Sequence, residues 1–340
     1  MYAIETLPRQ VKLKRIALLT SGGDAPGMNA AIRACVRAAH AEGIQVYGVR
    51  RGYSGLVADD LRLMSPPSVA NILQRGGTIL KSDRCEPFRD PAVRAQVAAQ
   101  LREKGIEALI VIGGDGSLTG AMLLQQETGF PVIGLPGTID NDVFGTDDTI
   151  GFDTAVDTAL GAIDRIRDTA NSHDRLFLVE VMGRASGYIA AYVGIAGGAE
   201  FILPPEQAVD IDQLSAQLRS SQKAGKFSSL IVVAESQQPG RTQDLAAQLS
   251  AQGFEPRVCI LGHTQRGGAP TGHDRMLASY LGAMAIRYLL AGQSNIMLGV
   301  QHDKLLPVPL SSVVHGHKAL PAHVLEMAAL LQKRSAPPGG

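Results

Sequence analysis

Two aspartates stand two residues apart in Pro136-Gly137-Thr138-Ile139-Asp140-Asn141-Asp142, with a hydroxyl before them and a glycine beside the proline. A carboxylate at such a tip could take a proton from a substrate hydroxyl while its neighbour holds a metal ion or orients the first. The same residues would equally make a polar turn with Asp as turn residue and helix cap. A second stretch, Gly113-Gly114-Asp115-Gly116-Ser117, encloses Asp115 between glycines. Glycines leave space for phosphates, and Mg2+ takes only one or two protein carboxylates when phosphates and waters supply the rest. The plainer alternative is a strand-to-helix turn capped by Asp. A third stretch runs from Gly22-Gly23-Asp24 through Ala25-Pro26-Gly27-Met28-Asn29. Its backbone N–H groups could approach an anion at a helix N-terminus, or it could be a tight turn. It matches neither G-x-G-x-x-G nor G-x-x-x-x-G-K-[ST].

Arg84, Arg89, Arg175, Arg184, Arg257 and Arg266 all fall in loops or at strand ends. A guanidinium fork suits phosphate, although any one of them could be a solvated surface residue. His263, close to Gln265 and Arg266, could clamp a substrate or be structural. Cysteine and histidine do not cluster at zinc-ligand spacing, and there is no G-x-S-x-G nucleophile elbow.

The elements that must position these residues share a form. Ile16-Ala17-Leu18-Leu19 leads to the first glycine turn, Ala108 to Ile112 to the second, and Pro131 to Leu135 to the aspartate pair. Leu176 to Val181 leads to Met182-Gly183-Arg184, Ser229 to Ala234 to Glu235, and Arg257 to Leu261 to Gly262-His263-Thr264-Gln265-Arg266. Short unbroken apolar runs are what parallel strands buried on both faces look like. Helical patterns over 28–41, 92–104, 154–169, 211–223 and 242–251 separate them, which predicts α/β with parallel sheets. Ligands bind beyond the carboxyl ends of such strands. Six polar, mostly glycine-containing endings therefore point to one long cleft, in two similar halves split near residue 151.

The chain has 340 residues, 45% hydrophobic and 19% charged, with 32 basic and 32 acidic side chains. Zero net charge argues against a general nucleic-acid or membrane-surface binder. Cys35, Cys85 and Cys259 are odd in number and far apart, so a disulfide framework is not expected and a reducing cytoplasm fits. Met1 to Arg15 lacks the apolar stretch of a signal peptide, and no run reaches the roughly 18 apolar residues of a spanning helix. The tail Ser335 to Gly340 is expected to fray.

Taken together, Thr20 to Asn29, Gly113 to Ser117, Pro136 to Asp142, Val181 to Arg184 and Gly262 to Gly268 resemble the bacterial ATP-dependent 6-phosphofructokinases, in that family's order and spacing. The similarity runs from about Arg15 to Gln301. A Gly-Gly-Asp-Gly alone is weak, since other kinases carry related forms; five motifs in register are specific. The resemblance implies two Rossmann-like three-layer α/β/α domains with the active-site cleft between them. Residues 1–151 plus about 265–315 would form the larger, ATP-binding domain, and 152–264 plus about 316–340 the smaller, fructose 6-phosphate-binding one.

The resemblance also implies transfer of the ATP γ-phosphoryl group to the 1-hydroxyl of fructose 6-phosphate, the committed step of glycolysis. Asp140 would accept the proton, Thr138 would lie beside the phosphoryl group and Arg184 would stabilise its charge. Asp115 would hold Mg2+, with Asp142 helping through water. Gly23, Tyr53, Arg84, Cys85, Arg89, Gly114, Gly116 and Ser117 would line the ATP site. Met182, Gly183, Glu235, His263 and Arg266 would hold the sugar. Arg175 and Arg257 would reach the 6-phosphate from a neighbouring subunit of a homotetramer. Pyrophosphate-using relatives carry Asp where this chain has Gly116 and Lys where it has Gly137, so ATP is the expected donor. The alternatives are a pyrophosphate-dependent enzyme, a kinase of another sugar phosphate, or an inactive sensor, which would be expected to lack one of Asp115, Asp140 and Asp142. An effector pocket for ADP or phosphoenolpyruvate is matched at Arg33, Arg37, Arg167, Lys226 and Glu200. It departs at Ala224, Phe227, Ser228 and Pro66, which predicts altered or weak regulation, each lost charge-assisted bond being worth roughly 1.5–3 kcal/mol.

Overall fold

The computed structural model describes residues 7–172, 175–205, 208–225, 228–236 and 239–332. Lys226 and Phe227, the first six residues and the tail Ser335 to Gly340 lie outside them. In chain order the elements begin β1 (Arg15–Thr20), α1 (Met28–Ala41), β2 (Gln45–Val49), α2 (Gly52–Val57), β3 (Leu61–Met64), α3 (Pro91–Glu103) and β4 (Ala108–Gly113). They continue α4 (Asp115–Thr128), β5 (Val132–Pro136), α5 (Phe152–Ser172), β6 (Leu176–Val181), α6 (Tyr188–Ala196), β7 (Phe201–Leu203), α7 (Ile211–Lys223) and β8 (Ser229–Ala234). The last are α8 (Arg241–Ala251), β9 (Pro256–Ile260), α9 (Gly272–Leu290), β10 (Ile296–Gln301), β11 (Lys304–Pro309), α10 (Leu310–His315) and α11 (Ala322–Gln332).

Two compact units result, 1–154 with 266–318 and 155–265 with 319–340. The first holds a seven-stranded sheet in the order β11-β10-β5-β4-β1-β2-β3. Its inner pairs are parallel, while β2–β3 and β10–β11 are antiparallel. Alternate residues of a strand face opposite sides. Ala17, Leu19, Leu109 and Val111 accordingly pack with Leu56, Val97, Leu118 and Val313, from α2, α3, α4 and α10. On the other side Ile112 and Met28 of α1 both lie close to Gly137, and α1 packs on α9. A Cβ at Gly282 would stand 2.7 Å from the Ala31 carbonyl, so glycine lets α9 and α1 approach this closely.

The second unit holds a parallel sheet in the order β7-β8-β6-β9. Leu176, Leu178, Ile231 and Val233 pack against Leu214, Leu218, Leu245 and Leu249 of α7 and α8. On the other face α6 lies against β7 and β8. Both units are therefore layered α/β/α.

Three features depart from the sequence reading. The antiparallel edge strands β3 and β11 carry exposed residues and Pro307 and Pro309, so they lack an unbroken apolar run. Helix α9 buries residues around much of its circumference, Leu277, Leu281, Met284, Ile286 and Tyr288 among them, which erases the one-sided period that marks a surface helix. The run beginning at Arg257, expected to be buried on both faces, is an edge strand in which Val258 and Ile260 are exposed. No described helix is long and apolar enough to cross a membrane.

Candidate active site

Strand register gathers the first unit's polar loops. Thr20 pairs with Ile112, and Gly113 with Pro136, so the loops after β1, β4 and β5 leave the sheet side by side. After β1, Gly22 turns the chain in the left-handed region at φ 82°. Arg266 lies directly on this turn: a Cβ at Gly23 would stand 2.6 Å from its Nη1, which donates to the Asp24 carbonyl at 3.2 Å. Arg266 therefore sits on the glycine turn of its own unit.

After β4 the helix α4 starts at once, with Gly114 as N-cap and Asp115 as its first residue. N–H groups of a helix start ordinarily lack internal partners and carry partial positive charge; here the Ser117 N–H is taken by the Gly114 carbonyl at 2.9 Å, and the earlier ones are what this turn could offer an anion. Tyr53 backs it from below. Its hydroxyl donates to the Ser117 carbonyl at 2.5 Å, and its ring stacks on Phe88 at 4.1 Å. With the tyrosine nearly buried, its place is to support the turn. Cys85 is half-buried, while Arg84 and Arg89 are exposed, Arg89 pairing with Glu86 at 3.1 Å.

After β5 the Gly137 N–H donates to the Gly113 carbonyl at 3.0 Å, tying the two loops together. Thr149 Oγ1 donates to the Thr138 carbonyl at 2.7 Å, and the Asp140 N–H to Thr138 Oγ1 at 3.2 Å. Asp140 is buried, Asn141 beside it takes φ 50°, and Asp142 is half-buried. The Asp115 carboxyl is pushed up to about 6, first by burial and then by the charges of Asp142 and Asp140, with His317 opposing. These carboxylates feel one another, and their mutual repulsion favours an added cation or proton. Among the described residues no three Asp, Glu, His or Cys side chains form a metal cluster of their own.

The second unit gathers another set. Val181 pairs with Ala234 and Glu180 with Ile260, so Met182 to Arg184, Glu235 and the turn from Gly262 emerge together. Glu235 Oε1 accepts from the N–H groups of Arg184 at 3.0 Å and Gly183 at 3.3 Å. The buried Gln265 accepts the Met182 N–H at 2.9 Å. Arg184 holds φ 53° with its side chain exposed, and His263 is also exposed. Arg175 and Arg257 stand elsewhere. They lie where β6 and β9 begin, while Met182 and Glu235 follow the strands' far ends. At about 3.3 Å per residue the six residues of β6 separate the two groups by about 20 Å.

The phosphofructokinase family model matches residues 15–289. The chain belongs to the phosphofructokinase family. It is 52% identical to ATP-dependent 6-phosphofructokinase 1 of Thermus thermophilus over 320 residues, 94% of this chain and 99% of that one. It is 51% identical to the ATP-dependent 6-phosphofructokinase of Halalkalibacterium halodurans over 324 residues, 95% of this chain and all of that one. The phosphofructokinase structure from Saccharomyces cerevisiae superposes with TM-score 0.82 at 38% identity, covering 88% of this chain and 45% of that longer one. A pyrophosphate-dependent phosphofructokinase from Nitrosospira multiformis, 22% identical with TM-score 0.82 over 97% of this chain and 94% of its own, shares the fold.

Gly116 and Gly137 differ in setting. Among the described residues, its own neighbours aside, a Cβ at Gly116 would meet nothing within 4 Å, whereas one at Gly137 would stand 3.0 Å from Ile112 and 3.2 Å from Met28. Of the candidate effector residues, Arg33 and Arg37 lie on α1. Arg167 donates to the Gly197 carbonyl at 2.7 Å and stands 3.9 Å from Glu200, which accepts the Leu230 N–H at 2.6 Å. Sequence alone does not single out Gln265 or Lys318: the first stands inside the Gly262–Gly268 motif, and the second falls where similarity to the family is loose.

Proposed function

We infer that this phosphofructokinase is an ATP-dependent 6-phosphofructokinase, converting fructose 6-phosphate and ATP to fructose 1,6-bisphosphate and ADP. The observation that carries the site assignment is the Gly113–Pro136 register, which sets the nucleotide turn bearing Asp115 beside the loop bearing Asp140. Phosphoryl transfer needs positioning and charge stabilisation more than covalent chemistry. Asp140, buried and with its N–H on Thr138 Oγ1, accepts the proton of the sugar 1-hydroxyl as that oxygen attacks. Thr138 and the N-terminal N–H groups of α4 face the phosphoryl oxygens. Arg184 contributes positive charge, its backbone fixed by Glu235. Asp115 would hold a Mg2+ ion brought with the nucleotide, with Asp142 helping through water, and such an ion would supply positive charge against the phosphate oxygens. The first unit is assigned to ATP and the second to the sugar, through Met182, Gly183, Glu235 and His263. The open space at Gly116 favours ATP over pyrophosphate. Purified protein should release ADP from ATP only when fructose 6-phosphate is present, and pyrophosphate should not replace ATP; equal use of pyrophosphate overturns the donor assignment.

The chain works as a homotetramer in the cytoplasm. Arg175 and Arg257, about 20 Å from their own chain's sugar residues, serve a neighbour's 6-phosphate, and the exposed Val258 and Ile260 beside Arg257 suit an apolar contact between copies. Regulation by ADP or phosphoenolpyruvate is weak. Arg167 and Glu200 are engaged within the chain, and Ala224 and Ser228 supply no charge. Saturation by fructose 6-phosphate should respond little to phosphoenolpyruvate; strong inhibition at micromolar effector overturns this.

A further inference from the structure

Lys318 is the last residue of the first unit before the chain passes into 319–340. Its Nζ donates to Asn141 Oδ1 at 2.8 Å and to the Asp147 carbonyl at 2.9 Å. Asn141 Nδ2 donates to that same Asp147 carbonyl at 3.0 Å. The three groups close a small ring, and both ends of the Asn141 amide are used in it.

Asn141 is the residue between Asp140 and Asp142, is buried, and takes the left-handed conformation. For a residue with a side chain that conformation is unfavourable. Asparagine bears it best when its short polar side chain is bonded locally. Here much of the restraint comes from a side chain 177 residues away. A residue in the left-handed region redirects the backbone, so the angle held at Asn141 sets where the Asp140 and Asp142 carboxylates point relative to each other. Burial pushes the Lys318 ammonium down to about 8, while Asp148, Asp147 and Asp142 act against that fall. Lys318 therefore remains mainly charged at neutral pH, with three donors.

We propose that Lys318 is a positioning residue of the proton-accepting loop: by locking Asn141 in its left-handed conformation it sets the aim of Asp140 and Asp142. The inference rests on the reading of Asp140 as the base. A misplacement of about 1 Å at a reacting group can cost about 100-fold in rate, so the effect belongs in kcat.

The test is steady-state kinetics of wild type, K318M, K318R, N141G and K318M/N141G, with ATP and fructose 6-phosphate varied and Tm measured for each. Methionine keeps an apolar stem of similar length and removes every donor. K318M should lose about 10–100-fold in kcat with both KM values within about threefold, and K318R should recover part of the loss. Glycine adopts the left-handed conformation unaided, so in the N141G background the lysine substitution should have little further effect. A K318M enzyme with wild-type kcat overturns the proposal, as does a loss in N141G/K318M that equals the product of the single losses. If K318M does not fold, the same cycle with K318A, which also removes every donor, decides by the same criterion. D140N separates the two layers. An inactive D140N beside a fully active K318M refutes only the role of Lys318, whereas an active D140N removes the base assignment beneath it.

Discussion

The backbone N–H of Arg184 donates to Oε1 of Glu235 at 3.0 Å. The same oxygen takes Gly183 at 3.3 Å, so one carboxylate holds a left-handed arginine and the glycine before it. A hydrogen bond to a charged group contributes about 1.5–3 kcal/mol. E235A should therefore raise the KM for fructose 6-phosphate and lower kcat, together by roughly 10–100-fold in kcat/KM. E235Q, which keeps an acceptor oxygen, should lose less. Equal losses in the two variants would show that charge on the sugar, and not support of the backbone, is what Glu235 supplies.

Asp115 gives a pH dependence with two opposite signs. Its carboxyl is raised from an ordinary 3.8 to about 6. Since the folded value is the higher, its stabilising contribution is full below about 3.8 and is lost as pH rises through about 6. At pH 7.5 the ionised side chain costs stability; the residue as a whole is exposed and only its carboxyl is partly enclosed, so solvent screening keeps that cost to about 1 kcal/mol. D115N should thus raise Tm modestly at pH 7.5 and leave it unchanged near pH 4. Its activity should fall sharply, and in the wild type Mg2+ affinity should weaken as pH drops below about 6. A lower Tm for D115N at pH 7.5 contradicts the electrostatic account.

Gly116 separates packing from ligand space. With nothing among the described residues, its own neighbours aside, within 4 Å of an added Cβ, G116D should fold with nearly the wild-type Tm. An added carboxylate beside the nucleotide phosphates should raise the KM for ATP by about tenfold or more, since like charges repel at close range. An unchanged KM for ATP would move the nucleotide away from this turn.

Much of the fold was legible because the central strands are buried on both faces. Ile16–Leu19 and Ala108–Ile112 had to be unbroken apolar runs, and their glycine-rich endings had to be loops at one edge. The edges were less legible. β3 and β11 expose side chains, and β9 looks like a central strand because its exposed Val258 and Ile260 are apolar. The candidate chemistry was legible wherever residue type and strand end coincided, as at Asp115 and Asp140. What sequence spacing cannot convey is support from afar: Tyr53 beneath Ser117, Gln265 on Met182, and Lys318 on Asn141 join residues 64, 83 and 177 positions apart.

The central claim, that Asp140 accepts the proton of the sugar hydroxyl in an ATP-dependent phosphoryl transfer, is tested most directly by the turnover of D140S relative to wild type with saturating ATP and fructose 6-phosphate. A lost general base predicts a kcat lower by about 100- to 10,000-fold with a smaller change in the KM for fructose 6-phosphate. A D140S enzyme turning over near the wild-type rate would contradict it.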